Sequence, residues 1–340
     1  MLLVITAIWG YTFTVVKDAI EIYGVYGFLA VRFLIGTICL APFALPRLLR
    51  QKAGKPSDTP IEPDIANSEC KNNAVSRSKS LKIGLWIGVC LGFSYLFQTL
   101  GLDKTTASHS GLITGLAVLF GPLVALIIFR IRVAKSFWPA VAVAIVGLAL
   151  LTGGEKDNGE GNSADPQAAT GAAAENNGAK EVGSSGSTRH ATLFGDGLSL
   201  LCALGFGIHI ALLGRYAVRC DAIVLAFGQL VSATVFFWLI WLASGERLTM
   251  PTGDVWWAIL LTGIVATAGG FFVQTYAQQH LSVVRTSVII VMEPIFASIF
   301  GYLLHHDPFS KLNLVGAVLM IGAALFVELH HATTAAEDSC

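Results

Sequence analysis

Two charged residues stand alone inside long uncharged stretches, and they are the ones best placed to do chemistry. Glu293 is the only charged residue in 286–306, and Arg32 is the only one in 27–46. A carboxylate in the middle of an apolar span costs about 2.5–3.5 kcal/mol on insertion scales, so it must face water or a partner. Glu293 therefore reads as a proton- or substrate-linked carboxylate, with a structural charge paired inside a bundle as the plainer alternative. Arg32 can meet a substrate carboxylate or Glu293 itself. Near a helix end it can equally snorkel to the headgroups, which is the plainer expectation there.

Other candidates are polar or aromatic groups at paired positions. Gln98 and Gln274 fall at equivalent points of an internal repeat and suit either a shared cavity or interhelical hydrogen bonds. Pro122 and Pro294 also match, and mark places where helices can break to expose backbone groups to a ligand. Trp9, Tyr95 and Trp86 are candidate cavity walls, although Trp and Tyr commonly sit at membrane interfaces. A lone His209 reads as hydrogen-bonded structure. The run Gly84-x-x-x-Gly88-x-x-x-Gly92 reads as packing alone. Neighbouring residues on a helix point ~100° apart, so neither His305-His306 nor His330-His331 forms a chelating face. There is no phosphate-binding loop, H-E-x-x-H, G-x-S-x-G or kinase set. Transport by this chain would thus draw on a gradient, with no cofactor.

The elements that must position these residues follow from composition. Of 340 residues, 54% are apolar and 13% charged, with 22 Lys+Arg against 22 Asp+Glu. This charge balance excludes a basic nucleic-acid binder and an acidic disordered chain. Crossing ~30 Å of hydrocarbon takes about 20 apolar residues in a helix. Runs of that kind lie at 27–46, 83–102, 105–129, 136–154, 194–214, 222–245, 255–284, 286–306 and 312–330, with a short opening run at 1–16. Nothing alternates as membrane strands would. The fold class is all-α: a polytopic membrane helix bundle of about ten transmembrane helices.

Lys and Arg in alternate loops set the orientation. The 47–82, 130–135, 215–221 and 285 set is the richer one, so both termini are expected in the cytoplasm. Residues 153–192 are low-complexity and read as an external linker. Cys39, Cys90 and Cys202 fall in spans, and Cys70, Cys220 and Cys340 fall on the cytoplasmic side, so no structural disulfide is expected.

The halves echo each other. Tyr95-Leu96-Phe97-Gln98-Thr99 matches Phe271-Phe272-Val273-Gln274-Thr275, and Leu119–Ala125 matches Val291–Ala297. Gly147–Leu151 matches Gly322–Phe326 in the same order. An odd number of spans per half inverts the second half relative to the first, as in many transporters. The expected units are 1–152, the linker 153–192, 193–331 and a cytoplasmic tail 332–340, giving two inverted five-helix repeats.

The chain resembles the EamA-type members of the drug/metabolite transporter superfamily. The resemblance rests on Trp9-Gly10-Tyr11-Thr12-Phe13-Thr14-Val15-Val16-Lys17, Arg32-Phe33, Gln98–Leu102 with Thr105–Ser108, Met292–Ala297 and Leu314–Gly322. It covers the spans and neither long loop. It departs from the family where Leu304-His305-His306-Asp307 stands in place of a Leu-Gly-Glu ending to the ninth helix. The resemblance implies two five-helix repeats and a secondary transporter for small metabolites. Export of an amino acid or similar solute across the cytoplasmic membrane is the leading reading. The alternatives are a membrane-embedded enzyme acting on lipid or prenyl substrates, and a structural or sensory protein of the same fold. The partners expected are a small-molecule substrate and the lipid bilayer, with protons as a candidate coupling ion, a homodimer as an open assembly and no nucleic acid.

Overall fold

The computed structural model describes residues 1–52, 75–104, 110, 113–130, 137–153, 184–247, 249–305 and 311–337. Most of the 47–82 loop, the linker 154–183, Asp307, Thr105–Ser108, Cys70 and Cys340 lie outside the described residues. All regular elements among the described residues are helical. The first half contains α1 (Leu2–Tyr23), α2 (Val25–Lys52), α3 (Arg77–Lys104), α4 (Ala117–Phe129) and α5 (Phe137–Gly153). The second half begins with α6 (Ser184–Tyr216) and α7 (Ala222–Ser244). Next come α8 (Gly253–Leu260), a π-helical segment (Leu261–Gly269) and α9 (Gly270–Ala277), forming one continuous rod. The last elements are α10 (Val283–Ile290), α11 (Glu293–His305) and α12 (Lys311–Glu337).

Seven of the helical stretches are long and apolar enough to cross a membrane, and shorter apolar helices lie at Ile113–Phe129, Phe137–Leu150 and Leu314–Ala323. The opening helix is longer than the apolar run 1–16 suggests. It extends through Lys17, Asp18 and Glu21 to Tyr23, 22 residues in all, and ends where Gly24 takes φ +85°. Only a residue without Cβ adopts that backbone freely, and the Glu246 carboxylate occupies the place a Cβ would need.

Apolar side chains cover the outside of the bundle as well as its core. Trp86 is 80% exposed, and Leu239, Leu242 and Ile127 are similarly turned outward. Such a surface is stable only against lipid tails. Trp86 is therefore not a cavity wall; its place on the outer face of α3 gives its ring to the surroundings.

The helix pairs follow a regular pattern. The principal contacts are α3–α7, α3–α6, α5–α12, α2–α7, α4–α6, α1–α11, α2 with the π segment, and α4–α10. Pairing helices as the sequence repeat expects maps α1–α11 onto α6–α4, and α3–α7 onto the π segment with α2, while α3–α6 has only a weaker image in α1 with the π segment and α9. The α2–α7, α5–α12 and α4–α10 pairs map onto themselves. Glycines set the closest approaches. A Cβ on Gly84 would lie 3.0 Å from the Gly228 Cα, and one on Gly36 would lie 3.0 Å from the Gly263 carbonyl. The Gly84 run does pack α3 directly onto α7, as its spacing predicts.

Polar clamps close the two ends. At one end Asp221 caps α7 and pairs with Arg47 at 3.1 Å and Arg77 at 3.5 Å, while Gln279 donates to the Cys220 carbonyl. At the other end Tyr23 donates to the Thr249 carbonyl, and Gly27 N–H donates to Glu246. The described turns at Tyr23–Gly24 and Glu246–Thr249 thus lie at one end, and those at Arg219–Asp221 and Gln279 at the other.

Candidate functional site

A cavity opens among α1, α2, α3, the start of α4, α6, α9 and the interrupted α10–α11 rod, with about 850 Å³ of empty space that includes solvent at its mouth. Trp9, Arg32, Tyr95, Gln98, Gln274, Glu293 and Pro294 all line it. These residues are up to 285 positions apart in the chain (Trp9 to Pro294), and the tertiary fold brings them to one space.

Two backbone irregularities build the site. The first is at Glu293. Helix α10 stops at Ile290 and α11 starts at Glu293. Pro294 has no N–H, so the Ile290 carbonyl loses its partner four residues on. In the first turn of α11 the missing N–H costs nothing, because that donor would have no partner anyway. Helix hydrogen bonds resume with Ile295 donating to the Met292 carbonyl at 3.1 Å. Pro122 behaves differently. Helix α4 runs through it, Pro122 is buried there, and it does not line the cavity. The interruption in the first half falls earlier, at Leu116, where Leu116 N–H donates to Ile113 and the Leu116 carbonyl accepts from Leu119. The two prolines therefore do not mark two equivalent breaks.

The second irregularity is the π segment. Its widened turn offers Ala266 and Thr267 to the first half of the chain: the Trp9 indole donates to the Ala266 carbonyl at 2.9 Å, and Arg32 Nε donates to Thr267 Oγ1 at 2.9 Å. π turns inside α-helices recur at functional sites. Gly263 lets this segment approach α2, since a Cβ there would lie 2.9 Å from the Arg32 carbonyl. Replacing Trp9 by Phe should remove this buried bond to the Ala266 carbonyl, at a cost of about 0.5–1.5 kcal/mol. A thermal melt in detergent should fall by several degrees, and an unchanged melt would show that this bond contributes nothing.

Arg32 is 3% exposed, so it does not snorkel to the headgroups. Its guanidinium carbon lies 4.9 Å from the centre of the Tyr95 ring, a cation–π distance. It makes no ion pair with Glu293. Among the described residues the Glu293 carboxylate has neither an ion-pair nor a hydrogen-bond partner, and the Gln98 and Gln274 amides likewise make no hydrogen bond there. These polar groups are free to meet a solute or water. Aromatic rings close the walls, with Tyr95 edge-on to Phe206 at 5.2 Å and to Phe271 at 5.8 Å.

His209 belongs to the framework. Its Nε2 lies 2.7 Å from Gln229 Oε1, and the Gln229 amide donates to Thr275 Oγ1 at 3.2 Å. Sequence reasoning missed Phe13, Thr12, Phe206 and Phe271 as lining residues. Phe271 had a signal, since it is the repeat counterpart of Tyr95. Phe206 and Phe13 had none beyond apolarity.

Comparison with known proteins places this architecture. The family model described as EamA-like transporter family matches residues 1–153 and 193–329. The chain belongs to the EamA-like transporter family. A protein of Archaeoglobus fulgidus described as an uncharacterized transporter is 24% identical over 96% of this chain and 84% of its own length. A WAT1-related chloroplastic protein of Arabidopsis thaliana is 37% identical over 84 residues, 25% of this chain and 20% of that protein. A solved crystal structure aligns with a TM-score of 0.65 at 15% identity, over 96% of this chain and 95% of the other, which shows the shared fold. As an EamA-like protein, the chain is a multi-pass membrane protein of a transporter family.

Proposed function

We propose that this EamA-like protein is a secondary transporter that moves a small metabolite, an amino acid or similar solute, out across the cytoplasmic membrane by alternating access. The observation that carries the reading is the pair Arg32 and Glu293. One guanidinium and one carboxylate line the same internal cavity, and neither has an ionic partner among the described residues. Burying two unpaired charges costs free energy that a packed structural core would not retain. A solute with its own carboxylate and ammonium satisfies both. Gln98 and Gln274 supply neutral hydrogen bonds, and the aromatic walls take an apolar body. Protons are the proposed coupling ion, carried by Glu293. The interruption before Glu293 gives α10–α11 a joint about which the site can be exposed to either side.

Two inverted halves, 1–152 and 193–331, would rock about the site, joined through the external linker 153–192. The reciprocal pattern of helix pairs supports this division. Both termini, including the tail 332–340, are assigned to the cytoplasm. Single cysteines at positions 60 and 170 should separate under an impermeant thiol reagent in intact cells, with 170 labelled and 60 protected. Labelling in the opposite sense inverts the assignment. The function itself is tested by a growth-protection and efflux screen across amino acids, toxic analogues and sugars in an overexpressing host. Protection with faster efflux of one solute class is the expected result, and no effect on any class would oppose the reading.

A further inference from the structure

We propose that Lys17 is the outer docking point for a negatively charged group of the solute, which it takes over from Arg32 along α3 as the solute moves outward. The inference rests on the reading of the cavity as the solute path.

Lys17 Nζ donates to the Leu102 carbonyl at 2.9 Å, spanning from α1 to α3. Val16 and Leu102, the residues beside and beneath this bond, both line the cavity. Leu102 is in the last turn of α3, which ends at Lys104. Carbonyls in a final turn have no partner in their own helix, and the helix dipole there attracts a cation. The contact is therefore a resting place for the ammonium that leaves further N–H donors unused. Nearby acids make no ion pair with it: Asp103 is held by Lys104 at 2.8 Å, and Asp18 and Glu21 on α1 are both exposed. No ion pair of Lys17 exists among the described residues.

From Leu102 the cavity-lining residues of α3 step inward through Thr99 and Gln98 to Tyr95. Seven residues are about two turns, or ~10 Å along the axis. At the far end Arg32 stands 4.9 Å from the Tyr95 ring centre, with Nε committed to Thr267. Two cations thus flank the ends of one polar stripe on α3 that itself holds no carboxylate, while Glu293 lines the cavity from α11. A cleft with apolar walls focuses such a field and raises the local concentration of the opposite charge. An anionic group that leaves Arg32 and reaches the rim exchanges the ammonium's contact with a neutral carbonyl for one with a full charge, so Lys17 is the last such contact on the way out.

The test is independent of the unidentified solute. Thr12 lines the cavity one helical turn inward from Val16, and Thr12→Cys is close in size. The purified full chain is treated with anionic sulfonatoethyl or cationic trimethylammonioethyl methanethiosulfonate. Modification at position 12 is followed by mass spectrometry, and each rate is divided by that of a free thiol in the same buffer. The anionic reagent should be favoured by about tenfold. Lys17→Gln should bring the ratio to within about threefold of unity, Lys17→Arg should keep it, and raising salt to about 0.5 M should lower it in the parent by screening. The salt arm decides the matter if Lys17→Gln fails to fold. A parent ratio near unity, or one that neither Lys17→Gln nor salt changes, overturns the role of Lys17 alone. A thiol at position 12 that reacts with neither reagent overturns the reading of the cavity as a solute path, and this inference with it.

Discussion

Glu293→Gln is expected to abolish proton-linked accumulation of the transported solute while the protein still reaches the membrane in normal amount. The substitution keeps the size and hydrogen-bonding capacity of the side chain and removes only its charge and its titration. The carboxylate has no partner among the described residues, so little structure is lost with the charge. Its counterpart in the first half is Gly121, so the charge belongs to one half only, as a coupling site requires and a symmetric packing role does not. One net charge crossing the potential is worth about 2.3 kcal/mol per 100 mV, roughly a fiftyfold gradient. In proteoliposomes carrying a pH gradient, the wild type should accumulate solute and the variant should only equilibrate it. Exchange of labelled for unlabelled solute should survive in the variant. Accumulation at the wild-type level, with the same pH dependence, would return Glu293 to a structural role.

Gly10→Ala is the second substitution with a large expected effect. A Cβ on Gly10 would lie 2.7 Å from the Phe296 Cβ and 2.8 Å from both the Ala297 N and the Glu293 carbonyl. Two of these neighbours are backbone and the third is fixed to it, so no side chain can swing aside. Helix α1 must move away from α11, taking Trp9 and the start of α11 out of register with the cavity. Overpacking of this kind costs about 1–3 kcal/mol. The variant should melt several degrees lower in detergent and lose most of its transport. Gly322→Ala is the matched control, since nothing lies within 4 Å of its Cβ. It should melt at or slightly above the parent, because alanine favours a helix interior by ~0.5–1 kcal/mol over glycine. Equal melts for the two variants would show that the α1–α11 contact is not tight.

The Gly10 contact also gives a physical reason for the Trp9-Gly10 pair in the opening motif. Trp9 reaches the π segment and Gly10 reaches the turn at Glu293, so adjacent residues tie the first helix to both irregularities of the second half. Adjacent positions on a helix point in different directions, and here each direction meets a separate wall of the site.

The sequence alone determined that this is an all-helical membrane protein, because twenty apolar residues in a row have one stable form in lipid. It also singled out Glu293 and Arg32, since a charge in such a run is too costly to be incidental, and the repeat led to Gln98 and Gln274. Pro294 marked a real interruption because a missing N–H acts locally. Other features needed the tertiary structure. The 255–284 stretch reads as an ordinary apolar span, yet part of it is π-helical, and Trp9 and Arg32 bond to that part. The place of Arg32 early in α2 suggests snorkelling, but Thr267 and Tyr95 hold it inward. Trp86 and Trp9 look alike in sequence, and only the facing of their helices sends one outward and the other to the cavity. Pro122 matches Pro294 in the repeat, but its helix continues and breaks at Leu116 instead. A local rule reads what one stretch of chain must do by itself. Which face of each helix meets another is decided by contacts between residues hundreds of positions apart, and these exist only once the bundle has packed.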